Sequence, residues 1–411
     1  MTPTPTRLAA GVASLAVLAL IATGCASGAG SNGSGDDAPA DDATASQEAA
    51  AADVAAGSRL AVSLEGQVVV LDAATLEEVA SFDSEEFTRL NPAGDGRHVF
   101  VTTTAGFQVL DTATPELTDL VFKADAAGHV VRHGGTTALF ADGTGETTIF
   151  DTDALLDAGG ELPEVQTYEA EDAHHGVSIV LEDGTLLTTV GDETSRSGAV
   201  ALHPHDGHFD EAASSDECPG IHGEGTAQGE AVIFGCEDGA LLYHDGEFEK
   251  FTAPDEYGRM GNAYVSETSP IIVGDYKNDP DAEGYFLHEV ALIDTAAHEY
   301  EVVELDGIEY TWRGVVRGPE DNAYILGSDG SIHVLDPATG EITDEHPVID
   351  AWESPAEWQE PHPALTTDGS VAYVADVAND RVVSVDLATG EVLAESDALA
   401  AQPNEMAVNI G

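Results

Sequence analysis

The chain has 411 residues, enough for two or three ordinary domains or for one large all-β domain. Its 77 Asp and Glu against 13 Lys and Arg give a formal charge of -64, which repels phosphate backbones and excludes nucleic acid as a partner. Apolar residues make up 42% of the chain, but only 6% are aromatic and 43 are Gly, which favours many short elements joined by tight turns over long helices or a coiled coil.

Residues 1–24 read as a signal peptide: Arg7 precedes an apolar run over residues 8–22 that is too short and too Ala-rich to span a bilayer. The small residues in Ala22-Thr23-Gly24-Cys25 resemble the lipobox of bacterial lipoproteins, so Cys25 is expected to be lipidated and to become the mature N-terminus. A plain secretory signal cleaved nearby is the alternative. Either way the chain is expected outside the cytoplasm, and in the first case it is held at the cell membrane through the lipid alone. Residues 25–57 are rich in Ala, Gly, Ser, Asp and Glu without a single aromatic, a composition that cannot bury enough surface to offset its ordering entropy. They are expected to form a disordered acidic tether. Residues 58–411 then form one folded domain.

With Cys25 assigned to lipid, Cys218 and Cys236 remain as a pair in an oxidising compartment. The midpoint between them, Ala227, coincides with a Gly-rich turn, so the two sulfurs are expected to face each other across adjacent antiparallel strands as a disulfide. Two thiolate ligands are the alternative, but no further close Cys and no CxxC supports it.

From residue 58 a theme recurs every 40 to 50 residues, clearest in Gly66-Gln-Val-Val-Val-Leu-Asp72, Gly106-Phe-Gln-Val-Leu-Asp-Thr112, Ser331-Ile-His-Val-Leu-Asp336 and Arg381-Val-Val-Ser-Val-Asp386. Short strands at this period with turn residues between them predict an all-β fold, a β-propeller. Counting back from these strings places the innermost strands near Asn91, His133, His175, His222, Asn262, Arg313, His362 and Asn404. The last of these has no strands after it, and the first segment has outer strands but no inner one. Joining the two gives an eighth blade closed by both termini, which removes the open sheet edge. Seven blades is the alternative, because residues 260–306 can be divided differently.

Four of the eight innermost positions carry histidine: His133, His175, His222 and His362. Equivalent positions of a propeller converge on its central channel, and imidazole is the commonest transition-metal ligand, so a ring of histidines with Glu224 beside His222 predicts an N/O site for Zn2+. The bland alternative is a set of channel-mouth histidines bonded to backbone or water. His203, His205 and His208 form a second cluster at a strand end, either a peripheral metal site or a solvated turn. Asp275, Asp279, Asp281 and Glu283 form an acid-rich stretch that could take Ca2+, but they lack the ordered ligand series of an EF-hand loop and read better as a solvated loop.

The strings Ala173-His-His-Gly-Val177, Glu217-Cys-Pro-Gly-Ile-His-Gly-Glu224, Phe234-Gly-Cys-Glu-Asp-Gly239 and Glu360-Pro-His-Pro363, in this order, resemble those of the AztD zinc metallochaperones. The resemblance covers residues 58–411. It implies a non-enzymatic extracytoplasmic protein, here taken as a monomer, that binds Zn2+ and hands it to the solute-binding protein of a zinc ABC importer. The His-bearing strings carry over as ligand candidates, with His174 and His175 left as alternatives to each other. Two other functions remain open to the residues: a metal-dependent hydrolase using the same His and Glu groups on a bound water, and a cell-envelope scaffold that only displays loops. No Gly-x-Ser-x-Gly elbow, HExxH or dinucleotide fingerprint is present.

Overall fold

The computed structural model describes residues 57–409 apart from Ala158 and Glu283. The expected signal peptide, Cys25 and the tether up to residue 56 lie outside the described residues. Among the described residues no helix is long and apolar enough to cross a membrane.

The chain folds into eight antiparallel sheets, each four strands long along its path, arranged as the blades of a propeller. The first blade joins both ends of the domain. Its strand Arg59–Leu64 pairs with Gln67–Asp72 on one side and with Met406–Asn409 on the other, in the register Arg59 to Asn409 and Val62 to Met406. The N-terminal segment therefore supplies outer strands and the C-terminus the inner one, as the unpaired sequence ends predicted.

The recurrent Leu-Asp string has a local cause. The Asp ends the third strand of a blade, and its carboxylate accepts backbone N–H groups two and three residues on. Asp72 accepts from Ala74 and Thr75 at 3.1 Å each, Asp111 from Ala113 and Thr114 at 3.0 Å each, and Asp294 from Ala296 and Ala297 at 2.9 and 2.8 Å. Part of the acid surplus thus holds turns.

Middle strands are apolar throughout because both of their faces are covered by neighbouring blades: Val68, Val69, Val70 and Leu71 are all buried. Outer strands such as Glu78–Asp83 alternate, with only one face packed. The core is a series of clusters between blades. One, including Ala61, Val70, Val99, Val101 and Ala407, joins the first blade to the second, and another, including Leu60, Val62, Tyr373, Val382 and Val408, joins the first to the eighth. Ring closure is therefore sealed by packing as well as by strand pairing, each buried Val or Leu contributing roughly 1.5–3 kcal/mol.

Inner strands are the least regular. They run from two residues in Ala263–Tyr264 to eight in Tyr310–Arg317. Residues 260–306 hold one complete blade, with strands Ala263–Tyr264, Ile271–Tyr276, Glu289–Asp294 and Glu299–Glu304, which fixes the count at eight rather than seven. In the third blade the inner strand is Ala127–His133, so His133 ends that strand instead of opening it, and the register shifts between Ala127 and Val130.

Candidate metal centre

Three histidines from three consecutive blades meet at the channel: His129 from the inner strand of the third, His175 just before the inner strand of the fourth (Ser178–Val180), and His222 at the start of the fifth (His222–Ala227). Their ring centroids form a near-equilateral triangle, 5.0, 5.1 and 5.2 Å on a side, and one ligand atom of each lies within 4.8 Å of the other two. His129 and His222 are half-buried, while His175 is exposed.

Each ring is held at Nδ1 by a group that can only accept. The Nδ1–H of His129 donates to the Gly176 carbonyl at 2.8 Å, that of His222 to the Gly261 carbonyl at 2.7 Å, and that of His175 to the Asp142 carboxylate at 2.5 Å. Nδ1 therefore carries a proton in all three, and in their neutral form the rings present bare Nε2 lone pairs to one another, 3.0 Å apart for His175 and His222. Lone pairs facing at that distance repel unless a cation lies between them. Tetrahedral Zn2+ with Zn–N bonds of about 2.0–2.1 Å spaces its nitrogens by about 3.3 Å, so small ring movements bring all three onto one ion and leave a fourth position open. Carbonyl and carboxylate partners at Nδ1 are also the outer groups that orient metal-bound imidazoles.

The support of His222 reaches further. The peptide whose oxygen receives its Nδ1–H has its own N–H, that of Asn262, on Asp275 at 2.8 Å, and the same carboxylate takes the Gly261 N–H and the Asn262 side-chain amide. Gly223 packs against this peptide at φ 62°, where an added Cβ would lie 2.3 Å from the Gly261 oxygen. Only glycine permits that approach.

Burial sets the protonation. His129 is held well below the ordinary imidazole range by desolvation and then by the neighbouring ring charges of His222 and His175. His222 is lowered to about 3, again chiefly by burial. Both are thus poised as neutral ligands.

The other expected ligands lie apart from this triangle. His133 is four residues further along its strand, about 13 Å, and its Nε2 meets Glu230 at 2.8 Å as a strut between blades. His174 is buried, with Nδ1 on the Asp172 carbonyl and Nε2 on the Thr189 carbonyl and hydroxyl. His362 is buried against Trp352, with Nδ1 on the Glu360 carbonyl and Nε2 without a partner among the described residues, and is lowered to about 4 by burial. Glu224 lines the same cavity as the triangle but is displaced by a register shift after His222, and burial pushes its carboxyl up to about 7. Of the expected set, His175 and His222 come together. His129, two blades before His222, was not foreseen, although it lies 46 residues before His175 and His175 lies 47 before His222, one blade each.

In the second cluster, His205 and His208 face each other across an Asp206-Gly207 turn in which both residues have positive φ. They gather with Asp210 rather than His203, and all three are exposed. Asp275 belongs to a strand and serves the Gly261 peptide, so it is no part of a calcium loop. The Cys218–Cys236 disulfide is formed, with Cα atoms 5.0 Å apart. Cys218, however, precedes the strand: it lies in the turn that enters His222, where the Ile221 N–H donates back to its carbonyl.

No known family's sequence profile matches the chain. Over 339 residues it is 21% identical to the zinc chaperone AztD of Citrobacter koseri, covering 78% of each. The solved structure of apo AztD from Citrobacter koseri superposes with a TM-score of 0.70 at 19% identity, over 85% of this chain and 97% of that one. The dihydro-heme d1 dehydrogenase NirN shares the fold at a TM-score of 0.59 and 15% identity, over 86% of this chain and 75% of that one. A propeller of this kind thus carries different chemistries, and the residues of the site must decide among them. In sequence and in fold, the chain is similar to the zinc chaperone AztD.

Proposed function

We propose that the protein is an extracytoplasmic zinc-binding chaperone whose cargo is held by His129, His175 and His222 and is passed to the solute-binding protein of a zinc importer. The observation that carries this reading is the convergence of three Nε2 lone pairs whose Nδ1 atoms are each tied to an acceptor. A site with three protein ligands and an open fourth position suits a cargo that must be handed on, because an incoming ligand can enter before a histidine leaves. His175, the exposed member, is the one such a ligand reaches first. Cys25 is proposed as the lipid anchor and residues 25–57 as the tether that lets the propeller reach its partner, on the strength of the lipobox-like string and the composition. The acidic surface favours a partner with a less negative docking patch, and the docking rate should fall as salt screens that attraction.

The test loads the protein with zinc, mixes it with the metal-free solute-binding protein of the same organism, and follows transfer in the presence of a competing chelator. Transfer faster than loss to the chelator alone supports direct hand-off. Equal rates would mean simple dissociation and a zinc store instead.

A further inference from the structure

Five of the 13 Lys and Arg residues line one cavity of about 750 Å³, the same cavity into which the three histidines point. On a chain of charge -64 this is a marked concentration of cations. Two of them are already served: Arg313 and Arg89 both reach Glu405 and both lie against the Trp312 ring, at 5.3 and 5.5 Å. The other three, Arg196, Arg259 and Lys277, form no ion pair among the described residues.

Arg259 and Lys277 stand directly opposite each other. Their backbones exchange two N–H···O bonds of 2.9 Å in an isolated antiparallel bridge, which sends both side chains to one face. Like charges in that relation repel, an arrangement that a bound anion relieves. Asp275 is near, but its two oxygens already accept three N–H groups. Arg196 and Arg259 also touch the backbone of the metal centre: one Nη1 of Arg196 donates to the His175 carbonyl at 3.4 Å, and one of Arg259 to Gly220 in the turn that enters His222 at 3.3 Å. The remaining donors of each fork have no protein acceptor among the described residues, and a planar carboxylate matches such a fork.

A free polyanion is repelled by the protein as a whole. The same molecule already chelating zinc carries less charge and brings the cation that the histidines need. We propose that the cavity takes up zinc together with a small polycarboxylate chelator, one carboxylate oxygen filling the fourth metal position and another carboxylate resting on Arg259, Lys277 and Arg196. This rests on the reading that the histidine triangle holds zinc. An acidic side chain of another protein offers the same group, but it would have to enter a concave space walled by Trp312 and Trp358.

The test is equilibrium dialysis of the mature chain with zinc alone, labelled citrate alone, both together, and zinc with a Glu-rich peptide, counting zinc and carboxylate retained per chain. Citrate should be retained with zinc at about one per chain, at least tenfold more than without zinc, and the citrate-to-zinc ratio should fall at least tenfold in the Arg259→Gln/Lys277→Gln protein. A thermal melt in dilute, citrate-free buffer guards against misfolding of the double variant, and Lys277→Gln alone, which should melt no lower than the parent since it removes a like-charge contact, should also lower the citrate-to-zinc ratio. In the arm that holds both, zinc retained with no citrate beside it overturns the proposal, as does peptide retained with zinc as well as citrate is, or citrate retained equally by the double variant. No zinc in the citrate-free arm would overturn the metal reading, and this proposal with it.

Discussion

Alanine at His129 and, separately, at His133 separates two residues four apart on one strand whose surroundings assign them opposite roles. His129 supplies one of three nitrogens to the proposed ion. Structural zinc sites with four ligands bind with about 10–16 kcal/mol, or about 2.5–4 kcal/mol per ligand, so His129→Ala should weaken zinc binding on the order of 10²- to 10³-fold. His133 makes one hydrogen bond, to a Glu230 oxygen that also accepts the Glu182 N–H, so Glu230 keeps a partner when it is removed. Its loss should cost about 0.5–1.5 kcal/mol of stability, a fall in Tm of about 1–5 °C, and change zinc affinity less than threefold. Competition against a fluorescent zinc chelator reads the affinity, and a thermal melt without metal reads the stability. If His133→Ala lost more affinity than His129→Ala, the triangle would not be the zinc site.

Asp275→Asn should weaken zinc binding about 10- to 100-fold, because it loosens the Gly261 peptide that orients His222 without touching the metal, and chelator competition checks it. Because His222 is lowered to about 3 and His129 is also lowered, protons compete for these two rings only well below pH 6.5, so their hold on zinc should be lost only on acidification beyond that range, as chelator competition across a pH series would show. Stability moves in the same direction from a higher pH: the unfolded chain takes up these protons first, so the metal-free protein should lose stability as pH falls through 6.5, seen as a falling Tm. Reduction of Cys218–Cys236, a loop of 18 residues, should remove roughly 3 kcal/mol on the chain-entropy model, and the melt should shift at reductant levels that leave zinc bound. His208→Ala at the exposed cluster should leave the first zinc equivalent in place, as dialysis with elemental analysis would show.

Sequence disclosed the propeller because its two strongest signals are local. Asp at the end of a third strand caps a turn in blade after blade, and the middle strands must be apolar on both faces. The closure of the first blade was legible from what each end lacked. Phase along the inner strands was not, since those strands vary from two to eight residues and carry register shifts. Counting back from the outer strands landed on His133, the end of its strand, instead of His129 within it. The shift after His222, with Gly223 at positive φ, likewise moved Glu224 out of the alternation that would have set it beside the histidine triangle. His175 and His222 were found because each lies at the entry to its strand. The spacing of one blade between them, projected one blade back, points to Gly128-His129 and is the signal that would have completed the set. The partners at Nδ1, by contrast, are two backbone carbonyls and one distant carboxylate, which no motif encodes.

X-ray absorption at the zinc edge of the protein loaded with one equivalent tests the triangle most directly. Three imidazole nitrogens at about 2.0–2.1 Å plus one lighter oxygen or nitrogen donor are expected, falling to two imidazoles in His129→Ala. A sulfur donor, fewer than two imidazoles, or a spectrum unchanged in His129→Ala would contradict it.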